Sequence, residues 1–402
     1  MSNSWRQAYT DLKAFIAEHP EVEIKVNVVR IQENVRTEFY RLFDMVRVAF
    51  VDEKFPSLLD EAKSLSESYS KTELEVIEHV GLDGISMAAD LREFLHNPKD
   101  RAIRELFNPL FDLLKGKVDT EIFEQKASRN AETTLRNLYR IGYEKWVMLS
   151  LVQLLESDKS FQVTLRQLDP REINRRTPTS KEPVPPLKES KRLSFEHEPY
   201  SILTVPDFIV HSARVNKYVA IRSEFREAMW TASDASENRE WYPLDSITTL
   251  ELEDLILIYI AETPEEISLV ADKERICRPD LIIECRGQNE WYEKEGLEEV
   301  KLHHGSLKPK LGTYVVSREP VPEQAYEELM PKHVSKESKK TSEGLTPEVA
   351  LTEHTLEQVS EEPMPELKPE EQQKIINIFT VGFDKSKLEP IVSRLMHPKS
   401  ED

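Results

Sequence analysis

The run Trp146-Val147-Met148-Leu149-Ser150-Leu151-Val152 holds one polar residue, Ser150, and closes a stretch that reads as a single helix from Thr120 through Leu155. A helix that is apolar nearly all round has no face for water, so this segment must be buried. Upstream, Val28, Ile31, Val35, Phe39, Leu42, Phe43, Val46 and Phe50 recur mostly at three and four residues, which predicts one apolar helix face over Val28–Phe50. Ser70-Lys71-Thr72-Glu73 has the form of a capping box ahead of Leu74, Val76 and Ile77. Asn97-Pro98 and Gly116 punctuate the region. Residues 1–162 therefore read as a helical bundle.

Glycine is scarce: ten occur in 402 residues, where average usage of roughly 7% gives about 28. That argues against Gly-rich phosphate loops and against a turn-dense all-β fold. No G-x-G-x-x-G, P-loop, G-x-S-x-G or H-E-x-x-H motif is present, so P-loop nucleotide hydrolysis and serine-hydrolase chemistry find no support. Lys+Arg number 54 against 74 Asp+Glu, a formal charge of -20. Such a surface repels phosphates, so nucleic acid could bind only through a local basic patch. No run of about 18 apolar residues is found, and no membrane span is expected. The N-terminal residues lack a basic region followed by an apolar stretch, and two cysteines, Cys277 and Cys285, make no disulfide framework. A cytoplasmic setting is the expectation.

Residues 163–195 change character. The segment from Leu165 to Arg192 holds five Pro, many Arg and Lys and no apolar period, which reads as a basic, Pro-rich linker. Residues 196–318 then switch to strand-like runs, at Tyr200–Val205, Asp207–His211, Lys217–Ile221, Leu255–Ile260 and Leu281–Ile283. A helix fits Ser223–Trp230, and Thr263-Pro264-Glu265-Glu266 has the form of a helix start. Strand, helix and strand within about 30 residues suggest a parallel βαβ crossover. Residues 319–371 are rich in Glu, Lys, Ser and Pro and read as a disordered acidic linker. The end, 372–402, forms a short element whose Ile375, Ile376, Ile378, Phe379 and Phe383 would dock on the body or bind a protein partner. The helical domain is the other surface expected to receive such a partner.

The segment Val205-Pro206-Asp207-Phe208-Ile209-Val210, a turn, then Tyr218-Val219-Ala220-Ile221-Arg222-Ser223-Glu224 resembles the hairpin of the PD-(D/E)XK nuclease superfamily. In that family a Pro-Asp begins one strand, and an acidic-x-Lys triplet ends the next. The resemblance covers about 90 residues, and it implies a small mixed-sheet α/β domain with a restriction-endonuclease-like core. It further implies metal-dependent phosphodiester hydrolysis with Mg2+ or Mn2+, because a divalent cation held by carboxylates polarises the phosphate and activates water. On that reading Asp207 and Glu224 are the metal ligands and catalytic acids, and Lys217 or Arg222 contacts phosphate. The sequence departs from the pattern at two places. Arg222 stands where the second acid is expected, and Glu224 stands at the lysine position.

A second set, Pro279-Asp280 with Glu299-Val300-Lys301, contains a literal acidic-x-Lys at longer spacing. Its plainer reading is a strand start at Asp280 and a short helix over Leu297–Gly305 with solvated Glu299 and Lys301. Cys277, Cys285, His303 and His304 lack the paired spacing of structural zinc ligands and read as buried cysteines. Two functions stay open. One is a nucleic-acid-associated protein with a degenerate nuclease-like domain; the other is a non-catalytic interaction or scaffold protein that keeps only the fold.

Overall fold

A computed structural model describes residues 4–163, 187–196, 205–225, 229–230, 241–243, 247–248, 252–268, 275–329 and 376–397. The helical half runs α1 (Trp5–Glu18), β1 (Val22–Lys25), β2 (Val28–Ile31), α2 (Glu33–Lys54), α3 (Pro56–Val80), β3 (Gly84–Ser86), α4 (Ala89–His96), α5 (Pro98–Glu105), α6 (Phe107–Leu114) and α7 (Thr120–Leu154). The second half contributes β4 (Ser157–Phe161), β5 (Arg192–Ser194), β6 (Phe208–Ser212), β7 (Lys217–Phe225), β8 (Leu252–Ala261) and β9 (Leu281–Arg286). It continues with α8 (Lys294–Leu307), β10 (Thr313–Ser317), α9 (Glu323–Leu329), β11 (Ile376–Thr380) and α10 (Glu389–Met396).

Helix α7 organises both halves. Asp119 caps it by accepting the Ile122 N–H at 2.7 Å. Its first turns are amphipathic, burying Phe123, Ala127, Ala131 and Leu135 at four-residue spacing. From Gly142 to Val152 every residue is buried, as the all-round apolar pattern requires. The reason is that α7 lies between the other helices and the sheet. A Cβ at Gly142 would come within 2.8 Å of a Leu95 methyl, and one at Gly287, just past β9, within 3.1 Å of the Tyr143 ring. Two of the few glycines thus stand where α7 is approached closely from opposite sides.

Seven strands form one mixed sheet in the order β11-β10-β9-β8-β7-β6-β4. Pairing is antiparallel from β4 to β9 and parallel from β9 through β11. Strand alternation gives the sheet two buried faces. Val219, Ile221, Ile256, Ile258, Leu281 and Ile283 face α7 within the core cluster that also holds Trp5, Phe39 and Trp146. Ala220, Leu257, Tyr259 and Ile282 form the opposite face with Leu307 of α8. The helical half and the sheet therefore share a single core.

Several local expectations are corrected. Val28–Ile31 is a strand paired with β1, and helix α2 begins only at Glu33. The β-branched Val28, Val29 and Ile31 suit the extended ladder, so their helical spacing is incidental. Ser70–Glu73 lies inside α3, whose true start carries Pro56 at its first position. There the Thr72 hydroxyl donates back to the Ser68 carbonyl at 2.9 Å instead of capping. Where a helix is expected over Ser223–Trp230, the described residues 223–225 and 229–230 are extended. Strand β7 continues to Phe225 because β8 pairs along it, Ser223 opposite Ile256 and Phe225 opposite Leu252. Residues 263–266 make a turn, and β8 pairs antiparallel with β9, so the parallel crossover is β9-α8-β10 instead. Part of the stretch expected as a disordered linker is ordered as α9, and residues 330–375 lie outside the described residues. The C-terminal element docks on the body: β11 pairs with β10, and the Phe383 ring sits 5.5 Å from Trp146 and 5.9 Å from Tyr143.

Candidate functional site

Asp207 enters β6 with its N–H donated to the Ile221 carbonyl at 2.9 Å, which places its side chain beside Arg222 and Ser223 of β7. The side chain has no exposed surface. Its Oδ1 accepts from Arg222 Nη1 at 3.0 Å; its Oδ2 accepts from the Ser223 N–H at 2.9 Å and the Ser223 hydroxyl at 2.6 Å. Arg222 Nη1 also donates to the Val205 carbonyl at 3.3 Å. The chain of contacts then crosses to α7. Lys145 Nζ donates to Ser223 Oγ at 2.7 Å and to Glu144 Oε1 at 2.6 Å, and it sits 5.4 Å from the centre of the Phe195 ring. Acids and bases alternate through the hydroxyl, which is how ionised groups survive in a core.

This arrangement decides what Asp207 can do. Mg2+ and Mn2+ need carboxylate oxygens that face an open coordination sphere. Both Asp207 oxygens instead accept hydrogen bonds, and a guanidinium 3.0 Å away repels a dication. The residue does not fit the metal that the family resemblance implies. Among the described residues, no group of three or more His, Cys, Asp or Glu is placed to hold a metal ion. Glu224 lies on β7, but its side chain is outside the described residues. Lys217 stands at the far end of that strand, five residues and roughly 17 Å from Arg222. There it pairs with Glu262 at 2.9 Å, so it is not a neighbour of Asp207.

The second predicted set is not assembled either. Asp280 opens β9, accepting the Ile260 N–H at 2.7 Å and an ion pair from Lys310 at 3.0 Å. Glu299, on α8, reaches Arg286 at the other end of β9 at 2.9 Å. Lys301 faces away, bonded to Glu328 at 2.9 Å and Glu298 at 3.2 Å. Helix α8 extends from Lys294 to Leu307 with Gly305 inside it, longer than the expected 297–305 segment. His211 is held by Asp158 at 2.7 Å.

A second buried ion network, unforeseen as a unit, lies on the α8 side of the sheet. Glu284 is fully buried; its Oε1 meets His303 Nδ1 at 2.6 Å and its Oε2 accepts from Arg286 Nη2 at 3.2 Å. Burial pushes the Glu284 carboxyl up, but His303 and Arg286 outweigh it and hold it below the usual carboxylate range. Arg286 lies 5.6 Å over the Trp291 ring, whose indole N–H donates to Ser317 Oγ at 2.8 Å. The signal in the sequence is the pair Glu284 and Arg286, two apart in an otherwise apolar strand and so on one face. Cys285, between them, points to the α7 face, which separates it from His303 and leaves the zinc grouping unformed. Trp291 packs in a buried cluster with Leu297, Val300 and Val315.

No protein-family model, curated protein or solved structure matches the chain.

Proposed function

We propose that this chain is a non-catalytic interaction or scaffold protein, whose α/β half keeps a nuclease-like order of strands and helix while its metal position is filled by the chain's own arginine. The observation that carries the reading is the ion pair between Arg222 and Asp207, 3.0 Å long and closed to solvent on the carboxylate side. Support for the nuclease-like ancestry comes from the sheet: an antiparallel β7-β8-β9 meander, helix α8, then β10 parallel to β9. Fold alone does not bring activity, so the site decides. No helix is long and apolar enough to cross a membrane among the described residues. Nucleic acid is the second partner class, favoured by the basic Leu165–Arg192 segment rather than by the sheet.

The test is cleavage of labelled single- and double-stranded DNA and RNA in Mg2+ and in Mn2+, wild type beside Asp207→Asn, with circular dichroism confirming that both are folded. The expected result is no metal-dependent cleavage by either. Wild-type cleavage that the folded Asp207→Asn variant loses overturns the proposal. Fluorescence anisotropy of the same oligonucleotides in EDTA, repeated at rising salt, then separates a nucleic-acid binder from a protein scaffold.

A further inference from the structure

The two edges of the seven-stranded sheet are built differently. At β4 the exposed Asp158 and Lys159 put charge on the strand, and the ladder shifts register between Ser157 and Lys159. Residues 189–190 cover its end: Phe161 bridges Glu189, and the Ser190 N–H donates to the Ser160 carbonyl at 2.7 Å. Charge, irregularity and cover are the usual protections of an edge against another strand. At the opposite edge β11 reads Ile376-Asn377-Ile378-Phe379-Thr380, with no charge, no proline and no shift in its register against β10. No strand pairs beyond it among the described residues. A groove of about 690 Å³, lined by Phe379, Thr380, Pro390 and Ser393, runs between its end and α10.

The pairing with β10 fixes which groups face outward. The Val381 N–H donates to the Ser317 carbonyl at 2.8 Å, so Phe379 and Asn377, in step with Val381, also turn their backbone groups to β10. Ile376, Ile378 and Thr380 therefore direct N–H and C=O away from the sheet. Three such residues centred on Ile378 are self-complementary. In an antiparallel pair Ile378 faces its own copy and Ile376 faces Thr380, each pair exchanging two hydrogen bonds. Charge singles out the same element. The chain carries -20, yet Asp384 and Glu389 against Lys385, Lys387 and Arg394 leave 376–397 with one net positive charge, so like-charge repulsion is weak there. We propose that β11 pairs antiparallel with β11 of a second copy of this chain about Ile378, joining the two seven-stranded sheets across a twofold axis. The contact is independent of the Arg222–Asp207 pair.

The experiment is sedimentation velocity of the full chain over a range of concentrations, with circular dichroism confirming the fold of each variant. A reversible dimer is expected. Thr380→Pro removes an outward N–H and leaves the bonds to β10 intact, so it should weaken the dimer about tenfold or more. Cysteine cross-linking reads the register separately. Ile378→Cys brings two Cα atoms to about 5.5 Å, within disulfide range, whereas Thr380→Cys leaves them roughly 14 Å apart along the strands. Under mild oxidation Ile378→Cys should form a reducible covalent dimer; Thr380→Cys and the wild type, with Cys277 and Cys285, should not. A chain that stays monomeric up to about 100 µM overturns the proposal and leaves the edge to a different strand. So does a dimer unchanged in folded Thr380→Pro, and so does cross-linking of Ile378→Cys no greater than that of Thr380→Cys.

Discussion

The two ion networks bury similar groups in one sheet, yet they end differently. The Asp207 network is closed at both of its acids: Asp207 has no exposed side-chain surface, and Glu144 shows 1%. The Glu284 network leads outward, through Arg286 to Glu299, whose side chain is 53% exposed. The first also joins parts distant in sequence, since Lys145 comes from α7 and Ser223 from β7. The second stays within the β9-α8 unit and its neighbours. A buried network that ties helix to sheet holds structure. An open one tolerates change at its outer end, because water replaces the lost partner there.

The contrast can be broken, and the largest effect is expected at its closed end. Asp207→Leu removes the buried carboxylate that accepts from Arg222 and from both Ser223 donors, and urea unfolding should show a loss of about 3–5 kcal/mol. Lys145→Met removes the link between α7 and β7 and should cost about 2–3 kcal/mol by the same measurement. Glu284→Gln should cost about 1–3 kcal/mol near neutrality. This third effect depends on pH with a definite sign. A carboxyl held low in the folded state stabilises above its unfolded value, and that stability is lost as pH falls through the folded value. The gap between wild type and Glu284→Gln should therefore be full at neutral pH and close below about pH 4. Unfolding curves collected across that range check it, and a gap that widens in acid would refute the assignment. Glu299→Ala, at the solvent end, should change stability by less than about 1 kcal/mol.

Much of the scaffold was legible because apolar period reports burial directly. The α7 core run and the strands at 208–212, 255–260 and 281–283 follow from which residues must leave water. What was not legible depends on partners distant in sequence. Nothing local says that β7 continues past Ser223; its pairing with β8 does. The Thr263-Pro264 helix signal is overruled in the same way by the antiparallel return of β9. At the site, the substitution of Arg222 for an acid was visible in the sequence, and its consequence, a filled carboxylate, could be read only from the distance between strands. Lys145 had no sequence link to Asp207 at all, since 62 residues and a change of secondary structure separate them.

The claim at the centre is that Asp207 is an internal ion-pair partner and not a metal ligand. The most direct test is a double-mutant cycle in urea unfolding, with Asp207→Leu, Arg222→Met and the combination. The account predicts that the apolar pair recovers most of the loss, leaving a coupling energy above about 2 kcal/mol. Single losses below about 1 kcal/mol that simply add would show that the two side chains do not depend on each other, and would contradict it.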